Sequence, residues 1–152
     1  MEANVWKLVH LLGACLFVGN IVVSAFWKVM ADRTGELAVM RFGVRLVNLT
    51  DALFTGAGAT MLAVAGHALA GRWGGVGAQG WIVTSYALFA FSGALWIAVL
   101  VPIQIRQARL LKAAVDRVPP QYRRLDRIWS TVGVVATLVP LPAVWMMMVK
   151  GA

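Results

Sequence analysis

Charged residues of either sign make up only 13% of this 152-residue chain, and the acidic ones number six against fourteen Lys and Arg. A soluble domain carries nearer a quarter of its residues as charges, so this composition excludes that class. A single cysteine, Cys15, leaves no partner for a disulfide and no thiolate cluster for a metal; the sequence places it as a lone buried thiol on a helix. Only two histidines are present, His10 and His67. Nothing in the chain matches a phosphate-binding glycine loop, a zinc-ligand spacing, a Ser-His-Asp order or a paired-carboxylate site, so no enzyme activity is assigned.

What fills the chain is apolar: 61% hydrophobic residues and a mean hydropathy of +0.78. A helix crossing a bilayer needs roughly 20 mostly apolar residues, and four windows supply them: 8–27, 46–70, 81–105 and 128–149. A membrane barrel would show alternating segments of about ten residues instead. The expected fold is all-α, a single antiparallel bundle of four transmembrane helices with no second domain. The segment Leu12-Gly13-Ala14-Cys15 imitates a lipoprotein cleavage box, but Glu2 and His10 precede it and the apolar run continues past it, so an uncleaved first helix is expected.

Positive charge is distributed unevenly. The first connection holds Lys28, Arg33, Arg41 and Arg45, and the third holds Arg106, Arg109, Lys112, Arg117, Arg123, Arg124 and Arg127, while the other face has only Lys7, Arg72 and Lys150. The positive-inside rule then places both basic connections in the cytoplasm and both termini outside. The net charge of +8 is accounted for by these topological signals and by anionic lipids at the basic loops, and no nucleic-acid partner is expected. Trp6, Trp73, Trp81 and Trp145 fall near one expected boundary and Trp27 and Trp129 near the other, as interfacial tryptophans do. Trp96 lies inside the third span as a packing residue or part of a cofactor wall.

Punctuation sets the helix ends. Ala31 to Glu36 reads as a turn, after which a second helix starts below the membrane at Leu37. The third is expected to continue to Val118, where Pro119-Pro120 stops it, with Pro120 opening the fourth. Helices two and three should thus extend into the cytoplasm. Gly71 to Gly80 reads as the outer loop. Pro140 and Pro142 should kink the fourth helix and free carbonyls near Ala136 and Leu138.

The two histidines come level on adjoining antiparallel helices, about 5–7 Å inside the outer boundary at 1.5 Å per residue. His10, Gly13, Phe17, Asn20 and Ser24 share one face of the first helix, and Gly56, Thr60 and Ala63 share the His67 face of the second. The small residues Gly13, Gly56 and Thr60 either bring the helices close or leave a slot for a flat ligand. One reading is a b-type haem or other porphyrin held by His10 and His67 for redox or electron transfer. A second takes both rings as metal ligands for copper, with Met146-Met147-Met148 nearby as soft donors. A third makes them interfacial polar residues of an accessory or scaffold subunit in a larger membrane complex. Asn20 is expected to bond across the bundle, and Asp51 to be neutralised by Lys28 or Arg127.

The run Trp6-Lys7-Leu8-Val9-His10-Leu11-Leu12-Gly13, with Gly19, Ala31-Asp32-Arg33-Thr34-Gly35, Pro102 and Gln104, resembles an uncharacterised group of bacterial four-helix membrane proteins known as a domain of unknown function. The start of the chain also resembles the CopD-like and membrane-bound protoporphyrinogen oxidase families. The first resemblance implies a multi-pass protein of the bacterial inner membrane, so that the outside termini expected from the charge count would be periplasmic. The oxidase resemblance implies a porphyrin near His10, but the functional lysine which that family carries in a later helix has no counterpart here, and the carry-over stops at His10. The CopD resemblance implies copper.

Overall fold

The structure is a computed structural model and describes residues 2–150. Every regular element among the described residues is helical, in four stretches long and apolar enough to cross a membrane: α1 (Glu2–Thr34), α2 (Leu37–Trp73), α3 (Gly80–Ala113) and α4 (Pro120–Lys150). The all-helical, four-span class expected from the apolar runs is the class observed. Ala31 lies against Gly43, Asn20 against Asp51 and Gly13 against Gly58, so contacts between α1 and α2 run in opposite chain senses. Phe26, Phe42, Phe91 and Ile97 stand on the outer surface, where lipid would meet them. Cys15 is exposed there as well. It was expected to be buried; its direction on α1 differs from that of the buried Gly13, Phe17 and Asn20.

The connections are shorter than the sequence suggested. Only Gly35 and Glu36 separate α1 from α2, because Thr34 folds back on the chain: its hydroxyl donates to Ala31 O at 2.7 Å and accepts the Glu36 N–H at 3.2 Å. Gly35, at φ 70°, takes the left-handed conformation that L side chains avoid. The third helix ends at Ala113 rather than near Val118. Arg41 of α2 supplies the reason, since its Nε donates to Leu111 O at 2.9 Å and its Nη2 to Ala114 O, satisfying carbonyls that a further turn would have used. Pro120 opens α4 as expected.

Three helices are irregular inside their spans. In α2 the turn Asp51–Thr55 is π-helical, and so is Trp96–Leu100 in α3. Wide turns of this kind are rare and concentrate at functional sites. In α4 the helix breaks between Leu138 and Leu141, where Pro140 and Pro142 remove two N–H donors. The carbonyl of Ala136 accepts a 2.6 Å bond from Ser92 of α3, so a group expected to lose its helical partner gains one from a neighbouring helix.

The tightest contact in the bundle joins α1 to α2. A Cβ on Gly58 would stand 2.7 Å from Phe17 N and 2.8 Å from Gly13 O, and one on Gly13 would stand 2.9 Å from Met61 Cβ. The obstacles are largely backbone, so the helices would have to separate. Gly58→Ala is expected to destabilise the protein by about 1–3 kcal/mol, as overpacking does, whereas Gly19→Ala, with nothing within 4 Å, should be neutral or mildly stabilising. Thermal unfolding of both variants in one detergent checks the pair.

Candidate functional site

The two histidines sit on adjoining helices but engage different neighbours. His10 is half-buried and packs on Gly66, where a Cβ would stand 3.3 Å from its Cε1 and 3.5 Å from its Nδ1. That Nδ1 is buried and has no hydrogen-bond partner among the described residues. His67 is exposed, with Nδ1 3.4 Å from the Tyr86 hydroxyl of α3. Of the small residues expected beside them, Gly13 lies in the close contact with Gly58, and a Cβ on Gly56 would stand 3.9 Å from Trp96 Cη2. Thr60 is exposed and donates back to Gly56 O at 2.9 Å. The structure thus brings His10 and Gly13 to the α1–α2 interface, turns Gly56 toward α3, and leaves Thr60 and His67 at the surface. Among the described residues no group of three His, Cys, Asp or Glu side chains is placed to hold a metal ion. Met147 and Met148 are exposed.

The most concentrated buried chemistry lies deeper, around Asp51, which is 7% exposed. Asn20 of α1 donates from Nδ2 to Asp51 Oδ1 at 2.9 Å and to Thr55 Oγ1 at 2.9 Å. The Thr55 hydroxyl donates a hydrogen bond to the same oxygen, Asp51 Oδ1, at 3.3 Å. Gln104 of α3 donates from Nε2 to Asp51 Oδ2 at 2.7 Å. The Trp96 indole N–H lies beside the carboxyl without closing a hydrogen bond of ordinary geometry. Asp51 and Thr55 begin and end the π-helical turn of α2, and both side chains reach Asn20. Three helices therefore converge on one carboxyl, and the donors they bring are neutral.

Lys28 does not neutralise Asp51, contrary to expectation. Its Nζ bonds Asp32 Oδ2 at 2.7 Å and Asp126 Oδ1 of α4, and lies 3.3 Å from the Tyr122 hydroxyl. It also lies 4.7 Å from the centre of the Trp129 ring, within cation–π range. At eight residues from Asn20 along α1, Lys28 is about 12 Å too far down the helix at 1.5 Å per residue. Arg127 makes no ion pair with Asp51 either; the ion pairs among the described residues both belong to Lys28.

This second centre stands at the basic end of the bundle, with Lys28 and Tyr122 each 1% exposed and the Asp32 and Asp126 side chains 15% and 31% exposed. One ammonium faces two carboxyls. Burial pushes the Asp32 carboxyl above the usual carboxylate range, against the opposing pull of the Lys28 ammonium. Burial, reinforced by Asp32, likewise holds the Tyr122 hydroxyl protonated well beyond its ordinary range, so it serves as a donor and gives Asp32 Oδ1 a 2.6 Å bond.

Sequence reasoning singled out Asn20 and Asp51 but missed Thr55, Gln104, Lys28, Asp32, Tyr122 and Asp126 as members of polar centres. One signal was available. Asn20, Ser24, Lys28 and Asp32 recur every four residues along α1, which places them on one stripe, and Asn20, Ser24 and Lys28 are buried. Tyr122 and Asp126 repeat the spacing at the start of α4.

A family model described as "Predicted integral membrane protein (DUF2269)" matches residues 4–151. No curated protein and no solved structure matches the chain.

Proposed function

We propose, from the premise that this chain belongs to the DUF2269 family of predicted integral membrane proteins, that it binds and releases a proton at the Asp51 carboxyl, exchanging it with the cytoplasm through the basic end of the bundle. The observation that carries the reading is a carboxyl 7% exposed inside a membrane bundle, held by Asn20, Thr55 and Gln104 with no cation among its bonded partners. A charge left unbalanced in hydrocarbon is costly, and ionisable residues kept there mark ion and proton pathways. Balance at Asp51 has to be supplied by something that comes and goes, and a proton is the smallest candidate.

Access is one-sided. Toward the basic end, α1 presents Ser24, Lys28 and Asp32 in turn. Toward the opposite end, the glycine contact of Gly13 with Gly58 and the tilted pair Phe17–Phe89, ring centres 5.9 Å apart, offer a proton no polar group, and the buried hydroxyls of Ser92 and Ser85 on α3 are given to the carbonyls of Ala136 and Trp81. This arrangement suits coupling of a proton to a movement or to a second solute better than free conduction. The wide turns at Asp51–Thr55 and Trp96–Leu100 are the places where such movement has least regular helix to break.

Infrared difference spectroscopy of reconstituted protein across a pH titration tests the reading. The expected result is a carboxyl C=O band that shifts in heavy water and is missing from Asp51→Asn. Identical wild-type and Asp51→Asn spectra at every pH would overturn it.

A second reading, a porphyrin or copper ion carried at His10, is favoured by the buried, unpartnered Nδ1 of that ring beside Gly66. His67, whose Nδ1 lies 3.4 Å from the Tyr86 hydroxyl, would offer such a site its Nε2. The expected sign is a Soret band in protein purified from haem-replete cells, lost in His10→Ala and kept in His67→Ala; for copper it is a stoichiometric content by elemental analysis, lost in His10→Ala. Colourless, copper-free protein removes this reading.

A further inference from the structure

Between the Asp51 centre and the Lys28 centre lies a layer of buried polar groups that find no partner among the described residues. Gln107 is 0% exposed, yet neither its Oε1 nor its Nε2 has a hydrogen bond; Asn48 Oδ1, Trp129 Nε1 and Trp27 Nε1 are buried and unpartnered too. Helix register brings these groups together. Asp51 bonds Gln104, and Val44 and Leu111 share one cluster further down. Asn48, three residues below Asp51, is therefore level with Gln107, three beyond Gln104. Trp129 of α4 belongs to one buried cluster with Val47, which neighbours Asn48 along α2, and Ile103, which neighbours Gln104 along α3. From α1, Ser24 completes the layer. It is buried, and its own hydrogen bond, to Ile21 O at 3.4 Å, is long enough to be exchanged for a better one.

A buried amide with both ends unsatisfied is costly for each group left unpaired, and native proteins meet such groups with ordered water held by about three hydrogen bonds. Acceptors and donors both occur here: carbonyl oxygens on Asn48 and Gln107, N–H groups on Gln107 and the two indoles, and a hydroxyl on Ser24. We infer that this layer is a water-binding site, lined by Ser24, Asn48, Gln107 and Trp129, that joins the Asp51 carboxyl to the Lys28–Asp32–Asp126 cluster. The inference deepens the proton reading by naming the route, and it rests on that reading for its purpose but not for its geometry. A proton taken by Asp126 or Asp32 at the basic end passes along the water to the Gln104 and Asn20 level, where Asp51 receives it; no bond other than O–H bonds is made or broken.

Cysteine accessibility tests it. On a Cys15→Ser background in sealed vesicles of known orientation, Gln107→Cys is treated with a small charged thiol reagent from either side. The expected result is reaction from the basic side at least about tenfold faster than Ala65→Cys, which is equally buried and would gain equally from local opening. Equal inertness of the two overturns the water layer. Should Gln107→Cys fail to fold, radiolytic labelling of the wild type in isotopically labelled water takes its place: oxygen incorporated at the buried Trp129 supports the layer, and none there overturns it. Labelling in a protein whose Asp51 shows no titration would keep the water and remove the proton route, so the two failures are distinguishable.

Discussion

Asp51→Asn should abolish proton-linked activity while leaving the bundle folded. The amide keeps the size of the carboxyl and one acceptor oxygen, so Asn20 retains its partner, and Gln104 restores its own bond by turning its amide to present Oε1. What disappears is the titrating oxygen pair. Deleting a positioned acid or base costs about a hundredfold to ten-thousandfold in rate, and a loss at least at the lower end of that range is expected in proton uptake by reconstituted vesicles. Asp51→Leu should lose activity and stability together, since the Gln104 amide would face hydrocarbon unpaired, at about 1–3 kcal/mol, while Asn20 would keep only its bond to Thr55. Thermal unfolding separates the two variants. An Asp51→Asn protein with undiminished proton uptake would place the working group elsewhere.

The second large effect is expected at Lys28. Its Nζ is bonded to two carboxyls on two helices and is almost fully enclosed. Lys28→Met leaves Asp32 and Asp126 facing one another without a cation; breaking a fully buried pair costs about 3–5 kcal/mol, and the 15% and 31% exposure of the two carboxyls sets the expected loss below that range. The loss should be pH-dependent in a stated direction. Asp32 already titrates above the usual carboxylate range because it is buried. A carboxyl raised by folding contributes its stability below its unfolded pKa, and that contribution is lost as pH rises through the folded value. Removing the ammonium raises it further. Lys28→Met should therefore be least stable at neutral and alkaline pH and recover on mild acidification, and Lys28→Met combined with Asp126→Asn should recover at neutral pH as well. Unfolding temperatures across a pH series measure both. A flat pH profile for the single variant would mean that the ammonium does not balance these carboxyls.

The helices were legible because their cause is local. Runs of apolar residues with few charges, such as Leu8 to Trp27, leave the backbone no way to satisfy its hydrogen bonds in lipid except as helix, and no knowledge of neighbours is needed to see that. Pro120 at the start of α4 and the proline break at Val139–Pro140 follow from missing N–H groups, which are equally local. Helix ends set by side chains from elsewhere were not legible: α3 stops early because Arg41, seventy residues away from Leu111, takes the last carbonyls.

The polar centres divide along the same line. That His10, Gly13, Phe17, Asn20 and Ser24 share a face is a matter of angular spacing, and the buried stripe of α1 bears it out for Gly13, Phe17, Asn20 and Ser24. Whether Gly13 opens a slot or closes a contact depends on what α2 presents opposite it, and Gly58 closes it. The sequence by itself determined the number of spans, their apolar character and the polar stripe that points inward, because these depend on composition and period along one helix. Only the tertiary structure decided that Asp51 meets amides and a hydroxyl while Lys28 keeps two other carboxyls. That pairing depends on the axial register between helices and on the extra residue in the Asp51–Thr55 turn, and a shift of one turn, about 5.4 Å, is enough to exchange one set of partners for another.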